Sequence, residues 1–444
     1  MDRPLARLLD LVDPASQWLA GLGVDEARRL LLGDDPRAVL ALRGSFALTA
    51  RDGERVAMAR SLDRPLRFFL AKESDGPLLV VAGRMDEIHE RLRAEGLAEQ
   101  FHPTYCRMVP AHHVTTLRLI GCPDPNPVHR RFFAPPDERL PADLDLIGER
   151  YVSALYHEVR EWLAGRPADE PVGVAFSGGL DSGAVLLAVY RALLDLGHSP
   201  ARLKAFTLAV GGGGDDLAQA REFLRRAGLE MLGEAVEVGW DEVDPFAAVE
   251  VIEDYKPLDV EAAAMGVALF AALRRRYPEW RLIADGDGGD ENLKDYPIED
   301  NAELTITSVV NNPLLYQEGW GVDAVKHSLT YSGGLSRACA RTWAPARRFG
   351  FNPFSPFTRP AVVAVAAAIP FAELAGGSHE ALYALKGEVL ARGTRSVLGV
   401  ELPRFPKRRF QHGAGARGEF GRRFAVPPAR YREHLLGTYA TAAR

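Results

Sequence analysis

Cysteine is nearly absent from this sequence. Its 444 residues include three, Cys106, Cys122 and Cys339, and no two form a CxxC pair. That spacing excludes a disulfide framework and a zinc cluster, and makes a reducing cytoplasm the expected setting. Long apolar runs are missing too: none approaches the roughly 20 residues that a bilayer-spanning helix requires, so no membrane partner is expected. The opening stretch "MDRPLARLLDLVDPASQW" is broken by Asp2 and Asp10 and lacks the apolar core of a secretory signal. Positive charge is not in excess: the net charge of −6 offers no general attraction to nucleic acid. What is present is an ordinary globular composition, 47% hydrophobic and 26% charged, in a chain long enough for two or three domains.

Two regions follow from the patterning. In residues 1–140, short strand-like runs, "SFALTA" (45–50), "RVAMAR" (55–60) and "LLVVAG" (78–83), are separated by the turn signals "RDGE" and "ESDGP". These predict a smaller, mainly antiparallel α+β domain, with an amphipathic helix at 85–97. The Pro-rich stretch "CPDPNPVHRRFFAPPDERLP" (122–141) reads as a linker. In residues 141–444, "VGVAF" precedes a helix pattern, "LKAFTLAV" (203–210) precedes another, and a third helix leads into "RLIAD" (281–285). That alternation predicts an α/β fold with a parallel, doubly wound sheet, and the pattern after about residue 300 predicts a mostly helical C-terminal part.

The loop Ser177-Gly178-Gly179-Leu180-Asp181-Ser182 lies where a predicted strand opens into a helix. Free amides and the helix dipole favour an anion there, and glycine lets the backbone approach it. The loop lacks the Lys of a Walker-type phosphate loop and carries Asp181, which would repel phosphate unless Mg²⁺ lay between them. A plain βα turn capped by Asp181 is the alternative. A second segment, "ADGDGGDEN" (284–292), sets Asp285, Asp287, Asp290 and Glu291 among Gly286, Gly288 and Gly289. Its spacing is not that of an EF-hand, and it reads either as a solvated turn or as a second carboxylate loop sharing the cation.

"SGGLDS" resembles the pyrophosphate loop of the PP-loop ATP pyrophosphatases. Taken with "DGDGGDE" and "KRRFQHGAG" (407–415), it resembles the asparagine synthetase and β-lactam synthetase-like family, whose relatives in natural-product biosynthesis include lasso-peptide cyclases. The resemblance implies a reaction. ATP and Mg²⁺ convert a carboxylate to an acyl-adenylate, releasing pyrophosphate, and an amine then displaces AMP to form an amide. It also implies roles: Ser177, Gly178, Gly179, Leu180, Ser182, Gly286 and Gly288 bind nucleotide, Asp181 and Asp290 hold Mg²⁺, and Lys407, Lys386 and Asp287 are catalytic. Asp287 takes the place of an acid that steers or deprotonates the amine.

Departures narrow the expectation. The amidotransferase members begin Met-Cys, whereas this chain begins Met1-Asp2, so the first domain is expected to be a degenerate, Cys-less glutaminase-like remnant without glutaminase activity. "GFNPFSPFTR" (350–359) and "NLKDY" (292–296) differ from the asparagine synthetase pattern and argue against aspartate as substrate. His112, His113 and His412 have no metal-ligand spacing. The expected partners are a small-molecule or peptide carboxylate and an amine, with a homodimer left open. Intramolecular lactam or macrolactam closure and a non-catalytic paralogue remain alternatives. An enzyme acting on tRNA would carry a basic surface and often paired cysteines, which this chain lacks.

Overall fold

The structure is a computed structural model that describes residues 6–14, 17–61, 68–74, 76–102, 105–120, 127–295, 298–300, 304–313, 339–405 and 413–440. Its first part contains β1 (Arg7–Asp10), β2 (Trp18–Ala20), α1 (Val24–Leu32), β3 (Arg43–Ser45), β4 (Ala47–Asp52), β5 (Arg55–Arg60), β6 (Phe69–Lys72), β7 (Leu78–Ala82), α2 (Met85–Ala94), β8 (Cys106–Met108), β9 (His113–Arg118) and β10 (Val128–Arg131). Two four-stranded sheets, in the orders β1-β7-β6-β8 and β10-β9-β5-β4, pack face to face. The two-residue side-chain period explains the layering. Val56, Met58, Leu79, Val81 and Leu117 fill the space between the sheets. Leu78, Val80 and Ala82 point outward to α2, and Leu48, Ala50, Ala57 and Ala59 point outward to α1.

Pairing is mainly antiparallel, as expected, with one exception among the described residues: β1 runs parallel to β7. The linker expected at 122–141 needs correction, because its residues Val128–Arg131 form β10, an edge strand zipped antiparallel to β9. Backbone pairing outweighed the local proline signal there.

The second part begins with α3 (Leu144–Ala164), a helix for which Asp143 supplies the N-cap. It continues with β11 (Val172–Ala175), α4 (Leu180–Asp195), β12 (Leu203–Val210), α5 (Asp215–Ala227), β13 (Gly233–Val238), α6 (Pro245–Ile252), α7 (Pro257–Arg276), β14 (Leu282–Ala284), α8 (Gly289–Asn292) and β15 (Asn352–Phe354). The five strands form an all-parallel sheet in the order β13-β12-β11-β14-β15. Both faces are covered. Val172, Val174, Leu203, Ala205, Leu282 and Ala284 meet α3 and α4, while Phe206, Leu208, Val210 and Ile283 meet α6 and α7. Burial on both faces explains the continuous apolar strands.

The C-terminal part is mostly helical. Its helix His379–Gly393 lies against α3 with almost no space between the backbones: a Cβ on Gly393 would come 2.2 Å from the Gly148 carbonyl oxygen. The two parts are tied by exchanged caps. Glu253, at the end of α6, accepts hydrogen bonds from the amides of Met85 (3.1 Å) and Asp86 (2.8 Å) at the start of α2. Arg84 donates to the carbonyls of Val251 (2.9 Å) and Glu250 (3.0 Å) at the end of α6. Among the described residues no helix is long and apolar enough to cross a membrane.

Candidate functional site

β11 and β14 are neighbours in the sheet, so the loops at their carboxyl ends face each other. Sites in open parallel sheets form at such ends. The first loop turns sharply into α4, whose opening turn already contains Leu180, Asp181 and Ser182. Ser177 and Ser182 brace it: their hydroxyls lie 3.3 Å apart, the Ser177 amide donates to Ser182 Oγ (3.3 Å), and the Gly179 amide donates to Ser177 Oγ (3.3 Å). Gly178 has φ 75°, and a Cβ there would lie 2.7 Å from the backbone nitrogen of Ala220 on α5, so only glycine fits.

The second loop presses onto the first. A Cβ on Gly289 would meet Asp181 Oδ1 at 2.2 Å, and one on Gly286 would meet the Ser182 nitrogen at 2.6 Å. Gly288, at φ 98°, turns the loop into α8. Asn292 pins this short helix by donating to the Tyr151 hydroxyl (3.1 Å) and the Phe357 carbonyl (2.7 Å).

Asp181 and Asp290, both expected to hold Mg²⁺, converge on one ammonium. Lys386, on the helix His379–Gly393, places Nζ 2.5 Å from Asp181 Oδ2, in contact with Asp290 Oδ1, and 3.3 Å from Asp295 Oδ2. The Lys386 side chain is 4% exposed. Burial opposes its charge, but the three carboxylates outweigh burial and hold its pKa well above the ordinary lysine value.

Asp287 lies deeper. Burial pushes its carboxyl up to about 7, against the pull of the Arg341 guanidinium 3.9 Å away and a hydrogen bond from Thr342. Its Oδ2 is buried and has no hydrogen-bond partner among the described residues. Asp285 accepts from the Asp287 amide (2.9 Å) and the Ser355 hydroxyl (2.9 Å). Burial, and then the Asp287 charge, raise it well above the usual carboxylate range.

Lys407 and His412 lie outside the described residues. The end of the same motif is described: the Val210 amide, at the carboxyl end of β12, donates to the Ala414 carbonyl (2.8 Å). Three residues near the loops had no signal of their own in the sequence. Asp295 stands out only inside "NLKDY", as a departure from the asparagine synthetase pattern, and Arg341 and Thr342 belong to a π-helical turn, Cys339–Trp343, that no motif marks.

Residues 154–337 match the family model for asparagine synthase. That stretch is an asparagine synthetase-like domain. It contains both glycine-rich loops and stops before Lys386 and Lys407. The match supports an ATP-dependent ligase. No curated protein matches the chain.

The donor set where the two loops meet fits Mg²⁺. Asp181 and Asp290 offer hard oxygen ligands around a point where a cation, the Lys386 ammonium, already stands. Among the described residues no group of three or more His, Cys, Asp or Glu is arranged to hold a metal unaided. Two carboxylates completed by phosphate oxygens is the usual magnesium arrangement at a nucleotide site.

Proposed function

We propose that the chain is an AMP-forming amide ligase that adenylates a carboxylate with ATP and passes the acyl group to an amine. The observation that carries this reading is the convergence of Asp181 and Asp290, from two loops at adjacent strand ends, on one buried cation position. The braced loop Ser177–Ser182 and the start of α4 would cradle the pyrophosphate. Asp181 and Asp290 would hold Mg²⁺, which supplies charge neutralisation for the phosphates when bound. Lys407 would add a further cation during adenylation or amide formation.

Asp287 would accept the proton of the attacking amine. With a carboxyl near 7 and an oxygen that has no hydrogen-bond partner among the described residues, it is poised between its two forms at neutral pH. Arg341 then keeps the ionised form from being prohibitively costly. The nitrogen is proposed to come from ammonia or an amine substrate rather than from glutamine hydrolysed by this chain. Cys106 does not suit a nucleophile, because burial pushes its thiol up to about 11.

The test supplies Mg²⁺, ATP, a panel of carboxylic acids and a panel of amines. Acid-dependent AMP, with a product equal to acid plus amine minus water, supports the proposal. A product lighter than the acid by one water gives the cyclising version instead. ADP in place of AMP, or stoichiometric glutamate release from added glutamine, contradicts the proposal.

A further inference from the structure

We infer that Lys386 is the site's own counter-cation. In the metal-free chain its ammonium occupies the position between Asp181 and Asp290 that a divalent ion takes when nucleotide enters, so metal binds tightly only together with nucleotide phosphate. This rests on the reading of the two loops as a Mg²⁺–ATP site.

The geometry sets up an exchange. Lys386 Nζ contacts Asp290 Oδ1 and lies 2.5 Å from Asp181 Oδ2, so a second cation coordinating the same two oxygens would sit against the ammonium. Two cations at such a distance repel strongly in a buried site. The ammonium is also tethered. The helix that carries it is fixed on α3 by the Gly148–Gly393 contact, so its effective concentration at the carboxylates is high, and a dissolved ion competes poorly.

Nucleotide changes that balance. Its phosphates bring several negative charges and give the displaced ammonium a new partner. The four-carbon stem of lysine lets the charge move a few ångströms while the helix stays in place. Asp295, 3.3 Å from Nζ, is the third carboxylate of the set and keeps the ammonium near the site while the other two turn to metal.

The experiment reads Mn²⁺ binding by electron paramagnetic resonance on the full chain, with and without a non-hydrolysable ATP analogue, together with thermal unfolding. The wild-type protein should bind Mn²⁺ weakly alone and at least about tenfold more tightly with the analogue, within the usual range for coupled sites. Lys386→Met should bind Mn²⁺ alone at least about tenfold more tightly than wild type. Its Tm should rise on adding Mn²⁺, as expected for an ion that binds only the folded state. Adding Asp290→Asn to Lys386→Met should remove both gains.

Wild-type protein that binds Mn²⁺ alone as tightly as with the analogue overturns the inference, whether or not the variant folds. A folded Lys386→Met with no gain also overturns it. In either case the ligase reading stands if acid-dependent AMP formation is seen. Failure of the wild-type chain to bind the ATP analogue at all overturns that reading instead.

Discussion

Arg359 and Lys386 are both nearly inaccessible cations carried by the C-terminal part, with side chains 3% and 4% exposed, yet their surroundings differ in charge. Arg359 pairs with Glu158 of α3 at 3.2 Å and donates to Ser45 of the first sandwich at 2.9 Å, a near-neutral set that joins the two parts. Lys386 faces Asp181, Asp290 and Asp295, three carboxylates gathered around one ammonium. A balanced buried pair satisfies itself. Several carboxylates drawn to one nearly buried cation are costly to assemble and mark a candidate ligand site. Arg359 is a structural joint between the two parts, and the Lys386 set is the proposed ligand site.

Substitutions test that separation. The largest effect should come from the carboxylates around Lys386: Asp181→Asn or Asp290→Asn should lower Mg²⁺-dependent AMP formation by about a thousandfold, at the upper end for a lost electrostatic element. Urea unfolding should show no loss of stability, because two carboxylates still face the ammonium. The balanced set should behave in reverse. Arg359→Ala strands Glu158 and should cost about 3–5 kcal/mol of stability, while the folded fraction keeps its turnover. Normal stability in that variant would remove the distinction.

Lys407→Ala should reduce turnover by at least about a hundredfold and leave ATP affinity nearly unchanged, which single-turnover kinetics and equilibrium binding can separate. Loss of ATP binding would move Lys407 from a transition-state role to a binding one.

Asp287 sharpens the comparison through pH. Its folded-state pKa lies near 7, above the ordinary value of 3.8 that it regains on unfolding. Between about 4 and 7 the folded metal-free chain retains a proton that the unfolded chain has released, so this group makes stability fall as pH rises through that window, and the fall stops above it. Unfolding measured across that range should show the decline in the wild type and a shallower one in Asp287→Asn. Amide formation should rise with pH through about 7 and reach a plateau, as the base form of Asp287 accumulates.

The smallest effect belongs to the exchanged caps. Arg84→Met removes the donors to Val251 and Glu250 and the cation 3.5 Å from buried Glu253, which keeps its two amide donors, and should cost about 1–3 kcal/mol in thermal unfolding, with activity unaffected.

What could be read from the sequence was local. The glycine-rich loops and the strand–helix alternation each depend on residues within a few positions of one another, and both glycine-rich segments lie beside each other in the fold. Contacts made over long separations were not readable. Nothing near Arg7 says that β1 will run parallel to β7, and the proline-rich stretch hid β10 because ladder pairing with β9 outweighed it. "GFNPFSPF" did not read as a strand, yet Asn352–Phe354 forms β15. Proline is tolerated there because β15 lies at the sheet edge, paired on one side with β14. Lys386 was picked out by resemblance alone. Its arrival over the two loops is set by how closely its helix approaches α3, a packing distance that no spacing within "ALKGEVL" encodes.

ATP–pyrophosphate exchange against a library of carboxylic acids tests most directly the claim that the carboxylates gathered around Lys386 form an adenylating Mg²⁺–ATP site. The account predicts Mg²⁺-dependent exchange that requires a particular acid, is lost in Asp181→Asn and Asp290→Asn, and survives in the folded fraction of Arg359→Ala. Acid-dependent exchange that persists undiminished in Asp181→Asn and Asp290→Asn would contradict it.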